Sequence, residues 1–495
     1  MTQPRAINDH LLLLAAEDCP PSDFEKLHVF HQHEERVLRA LTAHGPVLIK
    51  GGRGSGKSAL MIEASRRLQD ENADAIGIYL SLRHVPLLRS SGAEYEKLLC
   101  EILSREVTRT LVSYGFQSTL FPSVPDVTSL QHELRSLADK VGKRIVLLFD
   151  DVAHIGREAS LEEFFGIFRT ISNNVISCKA SIYPGVTRFG IRFDVYNDAT
   201  VFDLARDERA SGYGDFFERV LEARFPSLHK RLGKHRGYNA NSVAAFLGRT
   251  VVGNMRGFVT ACGMLEDTDT AGLPGLESVL KELASDYYWP LLEELEPKLG
   301  IYQPLVETSR QLAESIFRHA STQKSATVIV HRDIVQRLAK VFEILEYAGF
   351  LSKREASRAM RSGGRGPRFV LNLSNLLEYI QPSRLTREVF TDWQNPSPEQ
   401  PTDIHVSSGV VDMEQPLPLP DGKLQVFDLP IEKLQKSNVY PYGLTEERIR
   451  HLKNGGFETI GQLADATDSA LLAVEKIGDA WLERIRSVVG QAVWM

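Results

Sequence analysis

The chain has 495 residues, 43% hydrophobic and 25% charged, with a formal net charge of −6. That length exceeds what one hydrophobic core supports, so two to four domains are expected. The composition is that of a soluble globular protein, and the acidic balance excludes an overall basic nucleic-acid binder, leaving only local basic surfaces.

Near the N-terminus the longest apolar run, Leu11 to Ala16, is too short to span a membrane or to act as a signal, so no membrane partner is expected. Cys19, Cys100, Cys178 and Cys262 are scattered without a C-x-x-C spacing, which suits reduced core residues of a cytoplasmic protein. His28, His31 and His33 lie close together, but no partner spacing supports a metal. HEERVLRALTAH follows, with Val37, Leu38 and Leu41 at helical spacing.

Residues 47–60 read VLIKGGRGSGKSAL. Gly51, Gly56, Lys57 and Ser58 fit G-x-x-x-x-G-K-[ST], and the loop Gly51, Gly52, Arg53, Gly54, Ser55, Gly56, Lys57, Ser58, Ala59 is the candidate nucleotide cradle. A strand ends in a glycine-rich turn whose N–H groups wrap a phosphate, and the following helix aims its dipole at the charge. Lys57 reaches the β/γ oxygens of ATP and the Ser58 hydroxyl takes Mg²⁺.

A helix over about 58–70 and a strand at AIGIYLSL (75–82) come next, then helical material over 92–113 and 128–141. RIVLLFDD (144–151) is an unbroken apolar run, which suits a parallel strand buried on both faces. Asp150 at its end is placed to hold Mg²⁺, and Asp151 to orient the attacking water. Asp151 is one methylene shorter than the usual glutamate, which points to slow hydrolysis or a nucleotide switch. A helix near 160–173 precedes a strand from Val175 to Ile182, and the alternation predicts a parallel α/β sheet. After about 205 strand signals stop, and 213–225 and 241–265 read as helices of a lid.

The P-loop, the DD strand, Thr187-Arg188 after the fourth strand, and GNMRGFV (253–259) together resemble AAA+ ATPases, most closely the origin-recognition/initiator clade and related prokaryotic AAA ATPases. That resemblance, over roughly 25–380, implies that Arg256 is a sensor touching the γ-phosphate. It also implies that Ser181 or Thr187 is the polar sensor of the fourth strand. A neighbouring subunit would supply an arginine, with Arg188 ranked ahead of Arg192 and Arg157, so a homo-oligomer or a partner protein is expected.

Helices at 304–318 and 329–347, then strands at 350–352 and 368–371 joined by a long flexible loop, suggest a winged helix over 300–380. Between Lys353 and Arg368 stand six basic residues (Lys353, Arg354, Arg358, Arg361, Arg365, Arg368) against one acid, Glu355. Such a wing suits phosphates of duplex DNA. Residues 381–435, rich in proline, read as a linker. Residues 436–495 resemble the helix-hairpin-helix domain at the C-terminus of RNA polymerase alpha subunits. Lys476 stands there where many hairpins have glycine and is the candidate nucleic-acid contact. Seven Lys/Arg against eight Asp/Glu from Lys436 onward leave protein docking equally open.

The expected architecture is therefore an α/β P-loop core (1–204), a helical lid (205–299), a winged helix (300–380), a linker and a C-terminal helical domain. Three functions fit: a DNA-associated AAA+ ATPase of replication, transposition or mobile-element defence, a STAND-type signalling switch that binds proteins, or an adaptor with an inert nucleotide site.

Overall fold

A computed structural model describes residues 15–494 apart from 71, 118–120, 153–157, 185–188, 235–236, 269–271, 395–400, 421–422 and 438–442. Five strands form one parallel sheet: β1 (Val47–Lys50), β2 (Ala75–Ser81), β3 (Arg144–Asp150), β4 (Ile176–Ile182) and β5 (Thr200–Asp203). Their order is β2-β3-β4-β1-β5. The 144–151 run is central, and its side chains from Ile145 to Asp150 are all buried, as a strand without polar alternation requires. Because β4 lies between β1 and β3, the P-loop, Ser181 and the two aspartates share one edge of the sheet.

Helices cover both faces. On one, Phe149 meets Phe164 edge-on at 5.2 Å, and Phe165, Phe168, Phe189 and Phe193 complete an aromatic layer beneath the helix Glu158–Ile171. On the other, Val37, Leu38 and Leu41 of the helix Gln32–Thr42 pack on Leu60, Val146 and Leu148. Lys179 in β4 is fully buried. Its ammonium donates to the carbonyls of Ala40 (3.1 Å), Ala43 (2.7 Å) and Gly45, closing the end of that helix. Burial lowers its pKa to about 8.

The stretch expected as one helix over 241–265 is two, Ala240–Thr250 and Met255–Asp267. Val252 (φ 52°) and Gly253 (φ 80°) break it, because successive left-handed residues cannot continue a right-handed helix. β5 falls in a stretch to which the sequence assigned no element; it is short and largely exposed, so its pattern is weak.

The regions expected as lid and winged helix share one apolar core, running from Phe217 and Leu247 through Leu283 and Ile316 to Phe342 and Phe369. β6 (Thr327–Val330), β7 (Leu351–Ala359) and β8 (Arg365–Leu371) form its sheet. The wing corrects the expected long loop: β7 and β8 are an antiparallel hairpin with only residues 360–364 between them. The proline-rich stretch also departs from a linker. Phe390 inserts against Phe246 and Tyr238, both at 4.7 Å, and β9 (Thr402–Ile404) pairs with β6. Four helices, Glu446–Asn454, Ile460–Asp465, Asp468–Leu472 and Asp479–Trp494, build a separate core around Leu452, Leu471 and Ile485.

Candidate nucleotide site

Gly54 (φ 78°) and Gly56 (φ 96°) take backbone angles that side chains resist, and this turns the P-loop between β1 and the helix Lys57–Arg67. A side-chain carbon at Gly54 would meet Arg256 Cβ at 2.6 Å and Asn254 Oδ1 at 2.7 Å, so the lid lies directly on the loop. The Arg256 N–H donates to the Gly54 carbonyl at 3.1 Å, and Asn254 caps its own helix by accepting from the Gly257 N–H at 2.9 Å. The Gly253-Asn254-Met255-Arg256 turn, singled out in the sequence, therefore sits at the site. Arg256 lines the same cleft as Lys57 and Ser58.

The cleft encloses about 720 Å³ opening to solvent, between the P-loop, the lid and the segment Ala15–Glu17. Lys57 is buried, donates to the carbonyls of Gly51 (2.8 Å) and Gly52 (3.0 Å), and lies 3.7 Å from the Tyr183 ring centre. Burial lowers its pKa to about 8 against the raising effect of Asp150 and Asp151. Bound phosphates would supply the missing counter-charge. Ser55 and Ala59 also line the cleft, whereas Gly51 and Gly52 line a neighbouring pocket, and a side-chain carbon at Gly52 would meet the Glu346 carbonyl at 2.9 Å. Arg53 also lines the cleft; its guanidinium lies 3.8 Å from the Glu294 carboxylate, and its N–H donates to the Tyr347 carbonyl at 3.1 Å.

Asp150 is fully buried and accepts from Tyr79 Oη at 3.0 Å and from Ser181 Oγ. The structure thus brings Ser181, one of the two sensor candidates, onto the candidate metal-binding carboxylate. Asp151 has φ 54°, its N–H donates to Ser181 Oγ at 2.9 Å, and its carboxylate pairs with Arg83 Nε at 2.9 Å. Burial and the neighbouring Asp150 raise its pKa to about 7.

Carboxylate oxygens of Glu17, Asp150 and Asp151 lie within 4.8 Å of one another. Hard oxygen donors beside a serine hydroxyl and a triphosphate cleft fit Mg²⁺, with Ser58 and Asp150 as the residues that would hold it. Glu17, Arg83, Tyr79 and Tyr183 belong to no motif and escaped the sequence reading. The ends of β2 and of β4, and a turn before the first helix, bring them in.

Arg188, Thr187 and Arg157 lie outside the described residues. Arg192 is exposed, and its carbonyl accepts from Arg169. In the wing, Arg361 and Arg365 are exposed, and Lys353 and Arg358 are about two-fifths exposed and pair with Glu346 (3.7 Å) and Glu355 (3.4 Å). Arg354 and Arg368 are different. Their side chains are buried on Glu208, at 2.7 Å and 3.6 Å, and Arg368 also pairs with Glu355 at 2.9 Å. They hold the hairpin to the lid, so the outward basic set has four members, not six. Lys476 takes φ 64°, the conformation glycine would favour, and pairs with Glu447 at 3.7 Å.

Sheet order, P-loop and paired carboxylates together define an α/β protein of the P-loop, AAA+ fold class. No family model matches the chain, and no curated protein matches it. Among solved structures it is similar to the Aeropyrum pernix ORC2 protein (11% identity, 76% of this chain and 97% of that one, TM-score 0.40). It is likewise similar to a Walker-type ATPase of Pyrococcus abyssi (13%, 70% and 93%, TM-score 0.41) and to domain III of the Thermotoga maritima replication initiation protein DnaA (17%, 53% and 97%, TM-score 0.30). Likenesses of this size carry no argument about function. No helix among the described residues is long and apolar enough to cross a membrane.

Proposed function

We propose that the protein binds ATP with Mg²⁺, hydrolyses it slowly, and uses its nucleotide state to set DNA engagement or assembly. One observation carries this: Lys57, Ser58, Asp151 and the lid's Arg256 line a single cleft, with Asp150 buried at its base. A cation on the lid couples the phosphate end of a nucleotide to lid position. In this reading Lys57 balances the β/γ charge, Ser58 and Asp150 hold the ion, Asp151 orients water and Arg256 reports the γ-phosphate. An arginine from a second copy, with Arg188 the first candidate, completes the transition-state charge, and the partner is a homo-oligomer or another protein. The wing, with Arg358, Arg361 and Arg365 outward, supplies the duplex DNA contact, and the C-terminal unit with Lys476 a second nucleic-acid or protein contact.

A STAND-type switch with little turnover is the second reading, favoured by the ion pair that already occupies Asp151. Equilibrium binding of a fluorescent ATP analogue and steady-state ATP turnover, with and without duplex DNA, test both. Binding lost in Lys57→Ala and turnover stimulated by DNA support the first reading. Binding with turnover indifferent to DNA selects the switch, and absent binding overturns both.

A further inference from the structure

The last helix, Asp479–Trp494, packs from the far end of the chain on two segments that border the candidate nucleotide site. Its Gly490 abuts the Arg83 backbone: a side-chain carbon there would lie 3.0 Å from the Arg83 carbonyl oxygen. Arg484, two turns earlier, pairs with Asp18 at 3.1 Å. Two further contacts fix the same unit to the segment after β2. Arg89 pairs with Asp465 and lies 4.1 Å from the Phe427 ring centre, while Val85 and Leu88 pack into the C-terminal core.

Of the two residues gripped this way, Arg83 itself faces the Asp151 carboxylate, and Asp18 adjoins Glu17, which does too. Asp18 follows Glu17, and Glu17 pairs with Arg83 at 2.6 Å. Arg83 in turn pairs with Asp151 at 2.9 Å and donates to Ser81 Oγ at 3.2 Å. The Arg83 and Asp151 side chains are 11% and 6% exposed, so the pair is held in a nearly dry setting where charge interactions are strong. A carboxylate whose oxygen is already ion-paired with a guanidinium is poorly disposed to orient a water.

We propose that the C-terminal unit is a regulator built into the chain: docked, its last helix holds Arg83 and Glu17 on Asp151 and keeps hydrolysis slow, and its release by a bound partner frees that carboxylate. The device rests on the ATPase reading given above. It needs no change in the P-loop, since no C-terminal residue lines the cleft among the described residues. Nucleotide affinity and turnover are therefore separable.

The test uses the full chain. Gly490→Leu wedges the helix from Arg83, and Arg484→Glu sets like charges on Asp18. Both variants are expected to turn over ATP about 5- to 150-fold faster than the parent, the range of an ordinary coupling between sites, with affinity for a fluorescent ATP analogue little changed. The charge swap Asp18→Lys with Arg484→Glu restores the pair and should return turnover to the parent rate. A merely structural role would not produce that rescue. Hydrogen exchange over residues 82–90 should rise in the two released variants and fall back in the swap. Unchanged or reduced turnover in folded, released variants that still bind the analogue overturns the latch and leaves nucleotide binding standing. Loss of analogue binding in the parent itself would instead overturn the ATPase reading.

Discussion

Reversing Arg358, Arg361 and Arg365 to glutamate should change the salt dependence of duplex DNA binding by an amount set by the wing's geometry. Of the six basic residues between Lys353 and Arg368, four present their charge to solvent and two are buried on Glu208. Four phosphate contacts give a slope of log K against log salt of about −3.6, so raising salt from about 50 to about 200 mM weakens the parent roughly 150-fold. One remaining cation gives a slope of about −0.9, and the same step then costs only about 3- to 4-fold. Binding at low salt should fall for all duplex sequences alike, because phosphate contacts carry no base information. Fluorescence anisotropy with labelled duplexes of unrelated sequence measures both slopes. Nucleotide affinity without DNA, read in parallel, should be unchanged, because no wing residue lines the nucleotide cleft among the described residues. Equal slopes in parent and variant refute the wing as the DNA surface. A parent slope near −5.4, the value for about six contacts, would mean that Arg354 and Arg368 leave Glu208 on binding.

Other expectations follow from the buried charges and the candidate site. Arg368→Ala leaves Glu208 with Arg354 and Glu355 with Arg358 beside a void, and should destabilise the core that includes Phe369 by about 1–3 kcal/mol, seen as an earlier denaturant transition; a loss within about 0.5 kcal/mol would show the pair to be solvent-screened. Asp150→Asn should weaken the Mg²⁺ dependence of nucleotide binding, whereas Asp151→Asn should spare binding and slow turnover; wild-type turnover in the second variant places the water-orienting role elsewhere. Lys179→Met removes the donor to three helix-end carbonyls and should cost the α/β core about 2–3 kcal/mol by calorimetry, and a neutral result would show those carbonyls relaxing to water. His28 and His84 have pKa values lowered by burial to about 4, so below about pH 6.5 the unfolded chain takes up protons first. Stability should therefore fall as pH drops from about 6.5 to about 4 and level off beneath, and stability flat across that window in denaturant titrations would contradict the burial of both rings.

The sequence disclosed the parts of the site whose chemistry demands a spacing and concealed those that depend on a partner brought in by the fold. The P-loop spacing and the apolar run ending in Asp150 and Asp151 are short-range necessities, because a phosphate cradle and a buried parallel strand each require their residues in order. Arg256 was legible for a related reason: Gly253 and Asn254, which break and cap its helix, mark the turn that sets it on the P-loop. Ser181 was half legible, since only the position of β4 between β1 and β3 puts its hydroxyl on Asp150. Glu17 and Arg83 carried no signal at all. Each is one charged residue in a loop, and only the packing of the first turn and the end of β2 brings them to Asp151. The wing misled in the opposite direction. A dense run of cations reads as a solvated arm, yet the β7–β8 pairing shifts register between Lys353 and Glu355, and Arg354 in that irregularity and Arg368 opposite Glu355 both turn inward to Glu208. Charge density is written in composition, but which charges are spent inside the protein depends on strand register and on an acid 146 residues away in the chain.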